Sequence, residues 1–226
     1  MSAPSPSRAG ERRTVEEGER RRRVVLGAPG AMVVIVSGPS GVGKDTILRV
    51  MRERFPDPAR RFVVTYKTRQ PRPGEIAGVD YNFVSPDEFL RMQVEGALLE
   101  ASEVHGHWSG TPRDQVKAAL KKGRHAILKI DVQGADKVKA LIPEALRIFI
   151  APPSPRVRQR RLKDRATETP AEMERRNRDA ELEMARAADF DHVVINRTGR
   201  VLATARQIDQ IIRQEQAAHP RRRIKL

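Results

Sequence analysis

The stretch VVIVSGPSGVGKDT, residues 33–46, holds the clearest chemical pattern in this chain. Apolar, mostly β-branched residues lead into a glycine-rich turn that ends in Lys44 and opens a helix, an order of elements typical of a phosphate-binding P-loop. The glycines let backbone N–H groups converge on an anion, and the helix start and the lysine add positive charge. The predicted phosphate-binding residues are Gly38, Pro39, Ser40, Gly41, Val42, Gly43, Lys44, Asp45 and Thr46.

One position departs from the usual loop. A Ser or Thr normally follows the lysine, and its hydroxyl helps to hold Mg²⁺. Here that residue is Asp45, with Thr46 next to it. A carboxylate is also a hard oxygen ligand for Mg²⁺, although it brings a repulsive charge beside phosphates. We therefore consider two roles for Asp45: a metal ligand, with Thr46 as the neighbouring candidate, or an ordinary acidic residue at a helix N-terminus.

A second candidate anion site follows in TYKTRQPRPGE, residues 65–75. Arg69 and Arg72 lie in a turn stiffened by two prolines, and two guanidiniums held in this way can clamp a monoester phosphate with paired hydrogen bonds. Tyr81, a few residues further on, can add a hydroxyl. This segment therefore predicts a site for a second phosphorylated molecule.

Hydrophobic patterning indicates the scaffold that positions these residues. From Met32 onward short apolar strands alternate with amphipathic helices, which predicts an α/β fold with a central parallel sheet and helices on its faces. The predicted strands are Met32–Ser37, Phe62–Thr65, Ala126–Ile130, Arg147–Ile150 and His192–Ile195. The predicted helices are Pro86–Val94, Pro112–Lys122, Gln133–Leu141, Pro155–Asp164, Pro170–Ala187 and Arg200–Gln216. Ser85 and Thr111 are predicted N-caps, each followed by a proline at the first helical position.

The regular alternation is interrupted twice. A turn-rich segment with short strands predicts an inserted mixed β lobe at about residues 69–111, and a smaller insertion flanked by arginines predicts a lid at about 165–169. The predicted core then comprises residues 32–68, 112–164 and 170–217. Polar, arginine-rich residues 1–31 and 218–226 are predicted to be solvated basic tails, the first of them disordered.

Composition limits the possible classes of protein. The 226 residues suit one domain with small insertions, and no apolar run approaches the length of a membrane span. The chain has no cysteine, which excludes disulfides and thiolate metal sites and fits a cytoplasmic setting. The formal net charge of +15 suits a protein that binds nucleotides. We expect no specific nucleic acid partner, only weak, salt-sensitive contact between RNA and the basic tails.

Several motifs together resemble the guanylate kinase family over roughly Met32–Gln216, with Glu100 and the DVQG turn at Asp131 adding to the match. The resemblance implies a P-loop NTPase fold of three layers, and transfer of a phosphoryl group from ATP, with Mg²⁺, to GMP or dGMP by a monomer or homodimer. It assigns the GMP site to Thr65, Arg69, Arg72, Tyr81, Glu100, Thr111, Lys129 and Asp131, and places Asn196 near adenine. A carboxylate at Glu100 suits guanine, because it accepts hydrogen bonds from two adjacent donors of that base.

The resemblance extends to the predicted lid. RQRRLKDRATET, residues 158–169, places Arg161 and Arg165 one helical turn apart and so on one face, and Arg176 follows on the next helix. By resemblance these arginines close over the ATP phosphates, where they suit the spread charge of a phosphoryl-transfer transition state. With Lys44 and Arg69 they are the predicted catalytic residues. The alternative for such a helix is a solvated arginine-rich face.

Three further departures from the family pattern concern the predicted acceptor site. Lys129 stands where an acid is usual, Ser109 replaces a tyrosine, and Tyr66-Lys67 replaces a pair of small hydroxyl residues. Two of these changes add positive charge. We expect Lys129 either to point towards the acceptor phosphate or to pair with Asp131.

Two other functions remain open on the sequence. A phosphokinase of the same fold could use the Gly-Lys-Asp ending of the loop on a sugar phosphate, and it would not need Glu100 or Thr111 near a base. A non-catalytic guanylate-kinase-like module could bind a phosphorylated peptide, but such a module need not keep Lys44 and the lid arginines.

Overall fold

The computed structural model of the chain describes residues 25–26, 28–163 and 170–226. The strands are β1 (Val25–Leu26), β2 (Val33–Ser37), β3 (Arg60–Phe62), β4 (Tyr66–Lys67), β5 (Asn82–Phe83), β6 (Leu98–Val104), β7 (His107–Pro112), β8 (His125–Lys129), β9 (Leu146–Ala151), β10 (His192–Ile195) and β11 (Ile224–Lys225). The helices are α1 (Lys44–Arg54), α2 (Pro86–Val94), α3 (Arg113–Lys121), α4 (Val132–Leu141), α5 (Pro155–Lys163), α6 (Pro170–Ala185) and α7 (Val201–Ala218), with a 3₁₀ turn at Arg186–Asp189. Within these ranges, no helix has the length and apolarity needed to cross a bilayer.

A five-stranded sheet forms the centre of the molecule. Its strands lie in the order β10-β9-β2-β8-β3 and all neighbouring pairs are parallel. Side chains alternate along β2, so that Val33 and Ile35 pack into one buried cluster while Val34 and Val36 pack into the other. Burial on both faces explains why the strand sequence is apolar throughout. The predicted α/β fold with a central parallel sheet is confirmed.

A second, smaller sheet stands beside the first. Its order is β5-β4-β7-β6, with β4 parallel to β5 and antiparallel to β7, and β7 antiparallel to β6. Helix α2 covers this sheet through Phe89, which is buried and stacks on Trp108 with the ring centroids 5.9 Å apart. The helix begins where its sequence predicts, because the Ser85 hydroxyl accepts a hydrogen bond from the Glu88 backbone N–H at 3.1 Å. The predicted mixed β lobe is therefore present.

The predicted strand Phe62–Thr65 is displaced in the structure. The edge strand β3 is Arg60–Phe62, and the chain then passes from the large sheet to the small one. Polar Arg60 is buried in this strand because its guanidinium pairs with Asp209 of α7 at 2.5 Å. An arginine in a sequence does not by itself indicate a buried strand position. Its partner, Asp209, lies far away in the sequence, so the pairing could not be predicted from the local pattern.

The predicted basic tails are partly structured. Strand β11, within the predicted tail 218–226, pairs antiparallel with β1, and Ile224 is fully buried in the core. Arg222 pairs with Glu215 at the end of α7. A solvated tail is therefore wrong for Ile224–Lys225, because one apolar side chain and a strand pairing anchor it. Residues 1–24 and 27 of the predicted N-terminal tail lie outside the described residues.

Candidate active site

The loop between β2 and α1 forms the floor of a cleft. Gly38 has φ 133°, and a Cβ there would lie 2.2 Å from the Ile150 carbonyl oxygen, so the loop can pass here only with glycine. Lys44, the first residue of α1, folds back and donates to the carbonyl oxygens of Gly38 and Pro39. Burial lowers the pKa of Lys44, and nearby carboxylates only partly oppose this effect. The Lys44 ammonium thus lies over the loop, in a position to bind phosphates that the loop N–H groups hold.

A row of buried polar side chains crosses the small sheet. Glu100 pairs with Thr111 across β6 and β7, and Thr65 precedes Tyr66, whose partner on β7 is Gly110, so the register places all three on one face. The Thr111 hydroxyl donates to Glu100 Oε1 at 2.7 Å, and the Ser102 hydroxyl donates to Oε2 at 3.2 Å. Burial raises the pKa of Glu100, while these two donors favour its ionised form. The result is a carboxylate of fixed orientation.

This row also carries an unfilled hydrogen-bonding group. The Thr65 hydroxyl is buried and, among the described residues, has no hydrogen-bond partner. A buried hydroxyl without a hydrogen-bond partner is unfavourable unless a ligand supplies that partner. The predicted N-cap role of Thr111 is wrong, because its hydroxyl is engaged by Glu100 and helix α3 starts after Pro112 without a side-chain cap. The sheet face therefore offers donors and acceptors to a ligand rather than to helix α3.

The two arginines of the predicted phosphate clamp line the cleft. Both ends of the Arg69 guanidinium donate to the Glu75 carboxylate, at 2.7 and 2.6 Å, and the Arg72 backbone N–H donates to the same carboxylate at 2.8 Å. Burial opposes the charge of Arg69, but the contacts with Glu75 raise its pKa overall. The Glu75 carboxylate thus fixes the orientation of the Arg69 guanidinium.

An ion pair lies at the start of α1. The Lys129 ammonium is 2.5 Å from Asp45 Oδ1, and the Tyr81 hydroxyl donates to the same oxygen at 2.9 Å. Burial alone would raise the pKa of Asp45, but Lys129 and Tyr81 hold it well below its usual range. The predicted pairing of Lys129 with Asp131 is wrong, since Asp131 caps α4 by accepting from the Gly134 backbone N–H at 3.0 Å.

Helix α6 covers the cleft from the other side. The Arg176 guanidinium donates to the Ser40 hydroxyl at 2.8 Å, and Glu183 accepts a hydrogen bond from the Ser40 backbone N–H. Within the described residues Glu183 Oε2 is buried without a partner. Burial raises the pKa of Glu183 to about 7, since the nearby Lys44 only partly offsets this effect. A second contact joins α6 to the small sheet, where Asp179 Oδ2 lies 2.6 Å from His105 Nδ1. Helix α6 thus contacts both the P-loop and the turn between β6 and β7.

The sequence comparisons point to one family. The family model for guanylate kinase matches residues 30–215. The chain belongs to the guanylate kinase family. The guanylate kinase of Mycobacterium sp. (strain MCS) is 51% identical over 166 residues, which cover 73% of this chain and 83% of that protein. The guanylate kinase of Mycobacterium tuberculosis (strain CDC 1551 / Oshkosh) is 44% identical over 188 residues, covering 81% and 89%. A crystal structure of guanylate kinase from Anaplasma phagocytophilum matches with a TM-score of 0.69 at 29% identity, covering 88% and 92% of the two chains.

Most of the site residues predicted from the sequence meet in the cleft, which has about 840 Å³ of empty space. The predicted residues that line it are Pro39, Ser40, Gly41, Val42, Gly43, Lys44, Asp45, Arg69, Arg72, Tyr81, Lys129, Asp131 and Arg176. Gly38 begins the loop and packs against the Ile150 backbone, and Thr46 lines an adjoining cavity. Glu100 is not itself part of the lining but lies beside it, because a Cβ at Gly134 would be 2.8 Å from Glu100 Oε2 and 3.5 Å from Oδ2 of the lining residue Asp131.

Two predicted guanylate kinase residues sit behind the loop. The Arg161 guanidinium donates to the carbonyl oxygens of Val42 and Asn196, at 3.2 and 3.0 Å. The Asn196 side chain also donates to the Val42 carbonyl at 2.7 Å. Two carbonyl groups engage Arg161 here, so that its role at the phosphates stays a prediction, while Arg165 lies outside the described residues.

Lys67, Ser102 and Glu183 are among the residues near the cleft that had no assigned role in the sequence analysis. Lys67 and Ser102 lie on the same sheet face as Thr65 and Glu100, two residues along their strands, so period-two alternation could have found them. Burial lowers the pKa of Lys67 to about 8. Glu183 gave no sequence signal, because an acid on an amphipathic helix is ordinary and its contacts lie far away along the chain.

Proposed function

We propose that this chain catalyses ATP + GMP → ADP + GDP and accepts dGMP as well. The observation that carries the proposal is the Glu100 carboxylate, fixed by Thr111 and Ser102 beside a cleft whose floor is the P-loop. This carboxylate can accept from two adjacent donors of guanine, and it would repel the acceptor nitrogen of adenine. The unpartnered Thr65 hydroxyl in the same row can complete recognition of the base.

The proposed reaction needs alignment and charge rather than a base. An oxygen of the acceptor phosphate is already anionic and attacks the γ-phosphorus of ATP in line, so ADP leaves with no covalent intermediate. Lys44 binds the outer ATP phosphates, Arg69 and Arg72 orient the acceptor phosphate, and Arg176 adds charge from α6. The cover that α6 provides excludes water, which would otherwise hydrolyse ATP.

Magnesium enters this proposal as part of the donor substrate, bound to the ATP phosphates. Asp45 Oδ1 already accepts from an ammonium and a hydroxyl, so a metal would have to use Oδ2. We propose that Asp45 serves Lys129 rather than the metal. Across the described residues, no group of three or more acidic or histidine side chains is arranged to hold a metal. An enzyme that uses ATP and GMP draws on the purine nucleotide pool, and we place it in the cytoplasm.

An acceptor panel tests the proposed function. With MgATP as donor and ADP release as the readout, we expect turnover with GMP and dGMP, and a kcat/KM for AMP, CMP and UMP lower by at least about 10³-fold. Ribose 5-phosphate is the control for a sugar-phosphate kinase. Turnover with ribose 5-phosphate but not GMP would contradict the proposal, as would the absence of ADP release with every nucleotide.

The charge of Glu183 makes a separate prediction about pH. Its pKa rises from 4.5 to about 7 on folding, so between these values the folded protein binds more protons than the unfolded chain. The free energy of unfolding must therefore fall as pH rises through this window, by up to about 3 kcal/mol. We expect Glu183→Gln to abolish this loss in urea unfolding measured at about pH 5 and about pH 8. The control is Glu181→Gln, an exposed acid on the same helix. An equal pH dependence in wild type and Glu183→Gln would contradict the assignment.

A further inference from the structure

The ion pair between Asp45 and Lys129 is an unusual feature in a phosphate-binding cleft. Asp45 occupies the position where a hydroxyl residue normally helps a P-loop to hold Mg²⁺. Lys129 comes from the end of β8, the strand next to β2, and pairs in register with Val36 just before the loop. The structure thus puts a buried ammonium 2.5 Å from the carboxylate at the usual metal-binding position.

Lys129 is held on three sides. Its ammonium contacts Asp45 Oδ1, approaches the Asp80 carbonyl oxygen at 3.4 Å, and lies 3.8 Å from the centroid of the Tyr81 ring. A lysine ammonium has three donors, and the two oxygens account for only two of them. The contacts with the Asp80 carbonyl and the Tyr81 ring are the weaker ones, and because Lys129 lines the cleft, a phosphate there can take over a donor from them.

Contacts of the ammonium reach both halves of the site, because Asp45 follows the P-loop lysine while Asp80 and Tyr81 belong to the segment after the acceptor arginines. The charge of Lys129 acts both on Lys44 in the P-loop and on Lys67 in the small sheet, where it adds to the effect of burial in lowering the pKa of each. Tyr81 joins the same halves, since it follows the acceptor arginines in the chain and donates to Asp45 on α1. A positive group at this junction can contact donor and acceptor phosphates together.

We infer that Lys129 is a phosphate-bridging residue and Asp45 its positioning residue, so that the fixed ammonium of Lys129 contacts phosphates where a P-loop otherwise relies on protein-held Mg²⁺. This inference rests on the proposed function for the identity of the two phosphates. It explains why the sequence has an acid at position 45 and a base at position 129 together. In the nucleotide-free protein, either residue alone would leave an unpaired charge at the edge of the triphosphate site.

The test measures nucleotide binding without turnover. Isothermal titration calorimetry with a non-hydrolysable ATP analogue is carried out with excess Mg²⁺ and, separately, with EDTA. We expect wild type to bind the metal-free analogue within about tenfold of the magnesium form. We expect Lys129→Met to weaken metal-free binding about 10- to 100-fold and magnesium-dependent binding less, because the metal replaces part of the lost charge. Lys129→Arg should keep most of the metal-free affinity.

Two further variants separate this role from a structural one. Lys121→Met, an exposed lysine on α3, is the matched control and should change neither affinity. Asp45→Ser combined with Lys129→Glu restores a hydroxyl after the P-loop lysine and removes the ammonium, and this double variant should bind the analogue well only with Mg²⁺. Equal losses with and without metal in Lys129→Met, or no loss beyond Lys121→Met, would overturn the inference. A wild type that binds metal-free analogue but phosphorylates no acceptor would overturn the proposed function alone.

Discussion

Replacing Lys44 by Met is expected to lower kcat for GDP formation by about 10³-fold while leaving the protein folded. The lysine lies over the P-loop, where it would bind the outer phosphates as charge builds up in the transition state. Burial disfavours the charge of Lys44 in the free protein. Removing this desolvated ammonium should therefore not reduce the free energy of unfolding. Steady-state kinetics with saturating ATP and GMP, together with a thermal unfolding midpoint, measure both effects.

The control for Lys44 is Lys122→Met, which removes an exposed lysine at the end of α3. It should retain wild-type kcat, because this side chain lies far outside the lining of the cleft. A Lys44→Met protein that keeps its unfolding midpoint and at least a tenth of wild-type kcat would show that the loop lysine does not stabilise the transition state.

The second large effect is expected at Glu100, where Glu100→Gln should lower kcat/KM for GMP by about 10²-fold to 10³-fold. The amide has the same shape, but it offers one acceptor oxygen where the carboxylate offers two, and so leaves a guanine donor unpaired. Activity with AMP should change by less than about tenfold, so the preference for GMP over AMP should collapse. Initial rates across both acceptors give this ratio directly.

Glu103→Gln is a matched control for the Glu100 prediction. Glu103 lies on the same strand, β6, but its side chain is exposed. It should retain both the rate with GMP and the preference over AMP. An unchanged preference in Glu100→Gln would show that the base does not contact this carboxylate, and it would favour a sugar-phosphate acceptor instead.

The features that could be predicted from sequence are those set by local patterns. The P-loop, the parallel sheet and the small mixed sheet follow from alternation and from glycine and proline positions, and helix α2 was predicted at its observed bounds. The strand at Arg60 was displaced because its buried arginine depends on Asp209, a partner from the other end of the chain. Local patterns cannot show such pairings.

The same reason limited the prediction of the candidate site. The residue types around the cleft were visible in the sequence, but their partners were not. Lys129 pairs with Asp45 rather than Asp131, and Arg69 is held by Glu75. Glu183 reaches the P-loop only because α6 folds across it. The roles of these charged side chains could therefore be argued only once the three-dimensional structure showed their partners.

The central claim is that one cleft aligns two nucleotides so that a phosphoryl group passes between them. A crystal structure with adenosine and guanosine joined through a polyphosphate bridge tests this claim most directly. We predict that the phosphates lie between Lys44 and Arg69, with guanine against Glu100 and Thr65. Guanine bound elsewhere, or a phosphate bridge that does not contact the P-loop, would contradict the account.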